Sequence, residues 1–334
     1  MDFQLKIDIK KPDPLIQYPN KILLMGSCFT EHIGKGLADM KFDILQNPNG
    51  ILFGADAVCS ALKSYVEPKL YSANDLFLLN DCWNSWNHHS RFSHPDAALA
   101  LAGINKSQQE AHLFLKNANY LIITLGSAFT YELSATADKS SLNLGDAVAN
   151  CHRAPADWFQ KQLMSIDAIA SSLDETVALL RKFNPSLKIM FTISPVRHIR
   201  DGVVENNRSK ARLIEAVHQI VASNEGCFYF PAYEIVIDVL RDYRFYDIDM
   251  VHPNYAATEY VMERFLESCV EEHSLALAQE VKKIVIASRH RPLQPSTNLH
   301  KQFLQSQALK TKNLLEKFPF LNLREELNYF ESGI

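Results

Sequence analysis

Short apolar runs that stop at glycine or proline, each followed by a helical repeat, constrain this chain more than any other feature. Lys21-Ile22-Leu23-Leu24-Met25 is ended by Gly26, and Phe29, Ile33, Leu37 and Met40 then recur every three or four residues. Phe42 to Leu45 reads as a second strand, closed by the turn Asn47-Pro48-Asn49-Gly50, and Ala55 to Tyr65 as a helix. Tyr120 to Thr124 is a strand stopped by Gly126, and Leu187 to Ile193 another stopped by Pro195. Trp158 to Phe183 predicts one or two amphipathic helices, Ser209 to Ala222 a helix, Cys227 to Phe230 a short strand and Tyr255 to Glu272 a helix. Apolar strands alternating with amphipathic helices predict an α/β fold with a mostly parallel sheet covered on both faces. Ligands of such sheets bind beyond the carboxyl ends of the strands. That points to the loops after Met25, Leu45, Thr124 and Ile193.

Two stretches break the alternation. Residues near 75–107 form an insertion rich in Trp, His and Asn, and loops of this length in compact domains are usually functional. Trp83, Trp86, His88 and His89 there either line a pocket or form a local core. From residue 276 onward the chain reads as a helical extension, interrupted at Arg291-Pro-Leu-Gln-Pro295. The expected division is therefore 1–275 for the main domain and 276–334 for the extension. The extension's apolar positions Leu304, Ala308, Leu314 and Leu315 pack either on the main domain or on a second copy, making a homo-oligomer through the C-terminal helices one expectation.

Composition excludes several classes. The formal net charge is −4, so no clustered positive surface for nucleic acid is expected. No apolar stretch is long enough to span a bilayer. The start, Met1-Asp2-Phe3-Gln4-Leu5-Lys6, lacks the basic-then-apolar order of a secretory leader, and the expected location is cytoplasmic. The six cysteines contain no CxxC pair, which reads against a zinc ribbon or redox motif; Cys59, Cys227 and Cys269 are expected to be small buried hydrophobes. No cofactor and no metal site is expected.

Ser27 and Cys28 lie between a strand and a helix, where a tight turn exposes a side chain and free N–H groups favour negative charge. A cysteine so placed is expected to have a lowered pKa. Near the other end stands Asp247-Ile-Asp249-Met-Val-His252-Pro253-Asn254. Asp249 and His252, three apart on a turn, face the same side, so the carboxylate can set the tautomer of the imidazole as a catalytic triad requires.

Ile22-Leu-Leu-Met-Gly-Ser-Cys-Phe-Thr30 with Asp249-x-x-His252 resembles the SGNH (GDSL-type) hydrolase superfamily, and within it the GSCFA-domain family. The resemblance continues through Asn47-Pro-Asn-Gly-Ile-Leu-Phe53, Ile123-Thr-Leu-Gly126, Val148-Ala-Asn-Cys-His152, Ser194-Pro-Val-Arg-His198, Asp201-Gly202, Glu205-Asn206, Arg208-Ser-Lys210 and Phe230-Pro-Ala-Tyr-Glu234. It implies a three-layer α/β sandwich of SGNH-hydrolase or flavodoxin-like type. It also implies a hydrolase or acyltransferase acting on an ester of a small or carbohydrate-like molecule; a ligand-binding protein on the same scaffold is the alternative. Laying Gly26 on the superfamily's Gly-Asp-Ser block puts Cys28 at the nucleophile, with Ser27 the alternative.

The superfamily's oxyanion hole uses the nucleophile's N–H, a glycine and an asparagine. Gly50 fits the glycine, but the block at Gly126-Ser127-Ala128-Phe129 lacks the asparagine. Ser127, Asn150 and His152 are the candidates to replace it. Arg197 and His198 follow a buried strand and should reach the same face. Arg197 there either grips a carboxylate or phosphate of the substrate or pairs with Asp201 or Glu205.

Overall fold

The computed structural model describes residues 4–137 and 147–333; Met1–Phe3, on which part of the reading of the N-terminus rests, lie outside them. In chain order the elements are β1 (Lys21–Gly26), α1 (Cys28–Asp39), β2 (Asp43–Gln46), α2 (Ala55–Val66), β3 (Phe77–Leu79), β4 (Cys82–Asn84), α3 (Ala97–Lys116), β5 (Tyr120–Leu125) and β6 (Phe129–Leu133). Then come β7 (Phe159–Leu163), α4 (Ile166–Phe183), β8 (Lys188–Ile193), α5 (Val203–Ser223), β9 (Cys227–Tyr229), α6 (Ala232–Glu234, running into a π-helical turn Ile235–Leu240), α7 (Tyr255–Cys269), α8 (Glu272–Ser288), α9 (Asn298–Lys317) and α10 (Arg324–Ser332).

The central sheet has the order β2-β1-β5-β8-β9, and every neighbouring pair is parallel. Side chains alternate across it as the pleat demands. Leu23 and Met25 of β1, Leu121, Ile123 and Leu125 of β5, and Ile189, Phe191 and Ile193 of β8 enter one core with α2, α4 and α5. Ile22 and Leu24, Tyr120 and Ile122, and Met190 enter the opposite core with α1 and α7. These are the three layers of the expected α/β sandwich. The chain runs outward from β1 to β2 and then returns across β1 to β5, so the crevice for a ligand lies between the carboxyl ends of β1 and β5.

Four expectations change. The segment Phe159–Leu163 is not helical: it is β7, paired antiparallel with β6, and α4 begins only at Ile166. The 75–107 insertion is not an irregular loop. It contains the β3–β4 hairpin and the first half of α3, and Trp86 stacks on Phe77 at 3.7 Å within a satellite core that includes Leu133 and Val148. The helix expected from Ser209 starts at Val203. The tail is three helices, and α8 joins both bodies: its Ala278 belongs to the α1–α7 core, while Leu277, Val281, Ile284 and Val285 pack with Leu314, Leu323 and Phe330 of the tail. The residue 275/276 division therefore falls inside α8. The tail packs on the chain's own main domain. Tyr18 stacks on Phe42 at 4.2 Å and approaches Phe320, and Lys41 pairs with Glu326 at 2.8 Å.

Among the described residues no helix is long and apolar enough to cross a membrane.

Candidate active site

Gly26 ends β1 in a conformation only glycine tolerates here. Its φ is +132°, and a Cβ would stand 2.0 Å from the Thr124 carbonyl oxygen of β5. Its N–H donates to Asn47 Oδ1 at 2.9 Å, and the next N–H, of Ser27, donates to Thr124 O at 3.1 Å. The turn is thus pinned from both neighbouring strands. Ser27 is only 1% exposed and its Oγ has no hydrogen-bond partner, while a Cβ added at Gly126 would meet the Ser27 Cβ at 3.4 Å. Cys28, the first residue of α1, is partly exposed. Its thiol pKa is raised, not lowered as the sequence suggested. Burial is the largest cause; the N–H groups of Phe29 and Cys28 and the charge of Lys210 oppose it, and Glu31 adds to it. The helix N-terminus acts in the expected direction, but desolvation outweighs it.

Asp249 and His252 are brought together. Asp249 Oδ2 meets His252 Nδ1 at 2.6 Å, and Oδ1 accepts the backbone N–H of Val251 at 2.9 Å and of His252 at 3.0 Å. These bonds from His252 and Val251 hold the exposed carboxyl of Asp249 down to about 2. Arg197 fastens this loop to the end of β8. Its N–H donates to Val251 O at 3.2 Å, its guanidinium to Met250 O at 3.4 Å, and the guanidinium lies 4.2 Å from the Tyr246 ring centre. His252 acts electrostatically on His32, which stands one turn beyond Cys28 on α1. No hydrogen bond joins the His252 ring to Ser27 or Cys28.

The oxyanion candidates are largely engaged. Gly50 N–H donates to Asn47 O at 2.7 Å, and its Cα packs under the His89 Cβ. Gly126 and Ser127 both donate their N–H to Phe53 O at 2.9 Å, and Ser127 Oγ accepts from Phe129 N–H. His152 is buried in the satellite core, with Nε2 on Ser85 O at 2.8 Å and its ring edge-on to Phe77 and Trp86. Asn150 Oδ1 accepts the His152 N–H at 2.8 Å.

The sequence profile of the GSCFA family matches residues 21–265, and that of the GSCFA domain protein C-terminal domain matches residues 281–334. The chain belongs to the GSCFA family. No curated protein matches it. Among solved structures this GSCFA chain is similar to a carbohydrate esterase family 3 protein from Talaromyces cellulolyticus, at 11% identity and a TM-score of 0.35, over 79% of this chain and 99% of that one. It is similar at the same identity and TM-score to an acetyl xylan esterase from the rumen bacterium Butyrivibrio proteoclasticus, over 76% of this chain and 64% of that one. A carbohydrate esterase family 2 enzyme with a carbohydrate-binding domain, from Corynascus thermopiles (Myceliophthora fergusii), matches over 79% and 68%. At that level of similarity nothing about activity passes to this chain.

A cleft of about 470 Å³ brings Ser127, Asn150, Arg197 and His198 together with Phe53, Tyr131 and Arg200, and none of Ser27, Cys28, Asp249 and His252 lines it. Neither ion pair considered for Arg197 forms: Asp201 pairs with Lys161, and Glu205 with Arg208. His198 Nε2 bonds Gly126 O at 2.9 Å, and burial, with Lys210 nearby, pushes its pKa down to about 4. Sequence reasoning quoted Lys210 within Arg208-Ser-Lys210 but gave it no role. Lys210 is fully buried on α5, with Nζ donating to Gly126 O at 2.7 Å and Ser194 O at 2.6 Å. The signal was legible: Lys210 falls in the buried stripe Asn206, Ser209, Leu213, Ala216, Val217 and Ile220, where a lysine is out of place.

Proposed function

We propose that this protein is an SGNH-like hydrolase or acyltransferase that acts on an ester of a small or carbohydrate-like molecule, with Cys28 as nucleophile. The carrying observation is the 2.6 Å bond from Asp249 to His252 Nδ1, on a loop that Arg197 fastens to the end of β8. The bond directs the other ring nitrogen, Nε2, to proton transfer. Cys28 is favoured over Ser27 because the Ser27 side chain is buried and cannot meet a substrate, whereas Cys28 is partly exposed. His252 Nε2 takes the Cys28 thiol proton as the sulfur attacks the ester carbonyl and returns it to the departing alkoxide, leaving a thioester. Water, or an acceptor alcohol, then takes the acyl group. The six unpaired cysteines suit a reducing compartment, and we place the activity in the cytoplasm.

Turnover of p-nitrophenyl acetate is the test. Cys28→Ala and His252→Ala should each lower the rate by about 100-fold or more, and unchanged rates in both overturn the assignment. One observation favours a second reading, a ligand-binding protein on the same scaffold: the N–H groups of Gly50, Gly126 and Ser127 are already spent on Asn47 and Phe53. Losing a single oxyanion donor costs about 10²–10³ in rate. That reading expects no ester turnover by the wild-type chain at any pH.

A further inference from the structure

Residues 281–315 hold seven lysines and arginines and no aspartate or glutamate, in a chain whose formal net charge is −4. Three of the seven are spent within the chain: Lys282 pairs with Glu259 at 3.6 Å, Arg289 with Asp39 at 2.5 Å and Lys312 with Glu331 at 2.7 Å. Lys283, Arg291, Lys301 and Lys310 make no ion pair among the described residues. The same stretch folds around a groove of about 1250 Å³ between the end of α8 and the start of α9. Ile286, Ala287, Leu293, Leu299 and Phe303 line it, and no acidic residue does. The Phe303 ring lies 6.0 Å from the rings of His290 and His300. Lys283 stands one turn before Ile286 on α8, and Lys301 is next to His300 on α9, so unpaired cations flank the groove that Arg291 lines. Its apolar walls project: Leu293 is fully exposed, Leu299 is 78% and Ile286 57% exposed. The tail's own core is built from other positions, among them Val281, Ile284, Val285, Leu314 and Leu323, so these three side chains do not hold it together.

Whatever covers this surface has to be anionic and has to accept apolar side chains that stand out from it. A second copy meets the first condition poorly, because groove against groove would set Arg291 and Lys301 against cations of the same kind. A folded acidic partner would need pockets cut to three projecting side chains. A bilayer with anionic lipids offers both properties at once: phosphates at the depth of the cations, and acyl chains just below that part around a leucine of any orientation. Contact of this kind is peripheral, since among the described residues no helix is long and apolar enough to cross a membrane.

We propose that the groove between α8 and α9 docks on an anionic membrane surface: Lys283, Arg291 and Lys301 lie against lipid phosphates, while Ile286, Leu293 and Leu299 enter the acyl boundary. The tail then holds the main domain at the membrane, whichever residue of the Gly26-Ser27-Cys28 turn reacts.

Sedimentation of the full chain with sucrose-loaded vesicles tests this, with phosphatidylcholine alone set against an equal mixture of phosphatidylcholine and phosphatidylglycerol. The protein should pellet with the mixture and stay in solution with phosphatidylcholine, and salt at about 0.5 M should release it. Arg291→Gln with Lys301→Gln should weaken partition by about 25-fold, about fivefold for each cation. Leu293→Ser with Leu299→Ser should weaken it by about tenfold or more. All four positions are exposed, so the variants should keep the wild-type thermal midpoint. No pelleting with the mixed vesicles overturns the proposal, as does equal pelleting with both kinds, or pelleting that both paired variants retain. Two further outcomes give the groove to another occupant and overturn it as well. One is a wild-type dimer in lipid-free solution, read by light scattering, that Leu293→Ser with Leu299→Ser dissolves. The other is binding of a soluble peptide of alternating leucine and glutamate by a chain that ignores both vesicles. Ester turnover enters none of these readings, so the assignment of Cys28 stands or falls separately.

Discussion

Asp249 does two jobs with its two oxygens. Oδ1 shapes the loop by accepting the N–H groups of Val251 and His252, while Oδ2 holds the imidazole. Asp249→Asn separates them. The amide oxygen can still accept both backbone donors, so the loop should keep its shape and the thermal midpoint should stay close to wild type. The amide nitrogen would then face Nδ1 and force the ring proton onto Nε2, the wrong tautomer for accepting a proton. Ester turnover should fall by about 10²–10⁴-fold. A rate equal to wild type would mean that the pair only braces the loop. Both members were legible in the sequence because a three-residue spacing on a turn places them together wherever the turn lies. Lys210 was passed over for the opposite reason: its partners, Gly126 and Ser194, are 84 and 16 residues away in sequence, and only the sheet assembles them. The raised Cys28 thiol was equally out of sight, because burial by distant elements decides its sign.

At the scale of elements, periodicity found those whose core face is strong and lost those whose face is weak. The β1, β5 and β8 runs are buried almost throughout. Phe159–Leu163 reads Phe-Gln-Lys-Gln-Leu, half polar, and earns strand geometry only by pairing with β6. The helix α3 went unrecognised beneath the aromatic cluster that precedes it, although Asp96 caps its first turn through Ala98 N–H at 2.7 Å. The tail's docking rests on a contact no local pattern could announce. Lys41, just past α1, meets Glu326 of α10 with side chains 17% and 7% exposed. Lys41→Met leaves the buried Glu326 carboxylate without its cation and should cost about 2–3 kcal/mol, below the full cost of breaking a buried pair because Lys41 keeps some water. Urea unfolding measures it. Adding Glu326→Gln should restore most of the loss; a second substitution that deepens the loss instead would show that the pair is not what holds α10.

Across the whole molecule, the groups that burial keeps uncharged set how stability follows pH. His88 in the satellite core is pushed down to about 3 and His198 at the sheet's end to about 4, each mainly by desolvation, and His32, His89 and His152 shift in the same direction. An unfolded histidine titrates near 6.5. Above that pH both states are neutral at these sites and the fold is unpenalised. As pH falls from about 6.5 towards 4, the unfolded chain takes up protons that the native chain refuses, and stability drops by about 1.4 kcal/mol per pH unit for each such proton. Lys210 extends the same slope upward. Its folded pKa of about 7 lies below the ordinary lysine value of 10.5, so between those values the unfolded chain holds the extra proton and stability rises with pH. The chain should therefore be more stable at pH 8.5 than at pH 7, and far more stable there than at pH 5. Urea midpoints at the three values check the order. His198→Gln should flatten the acid limb by about one proton and leave the alkaline limb alone, while Lys210→Met should do the reverse. A midpoint that peaks below pH 7 would mean that Lys210 is charged in the native state.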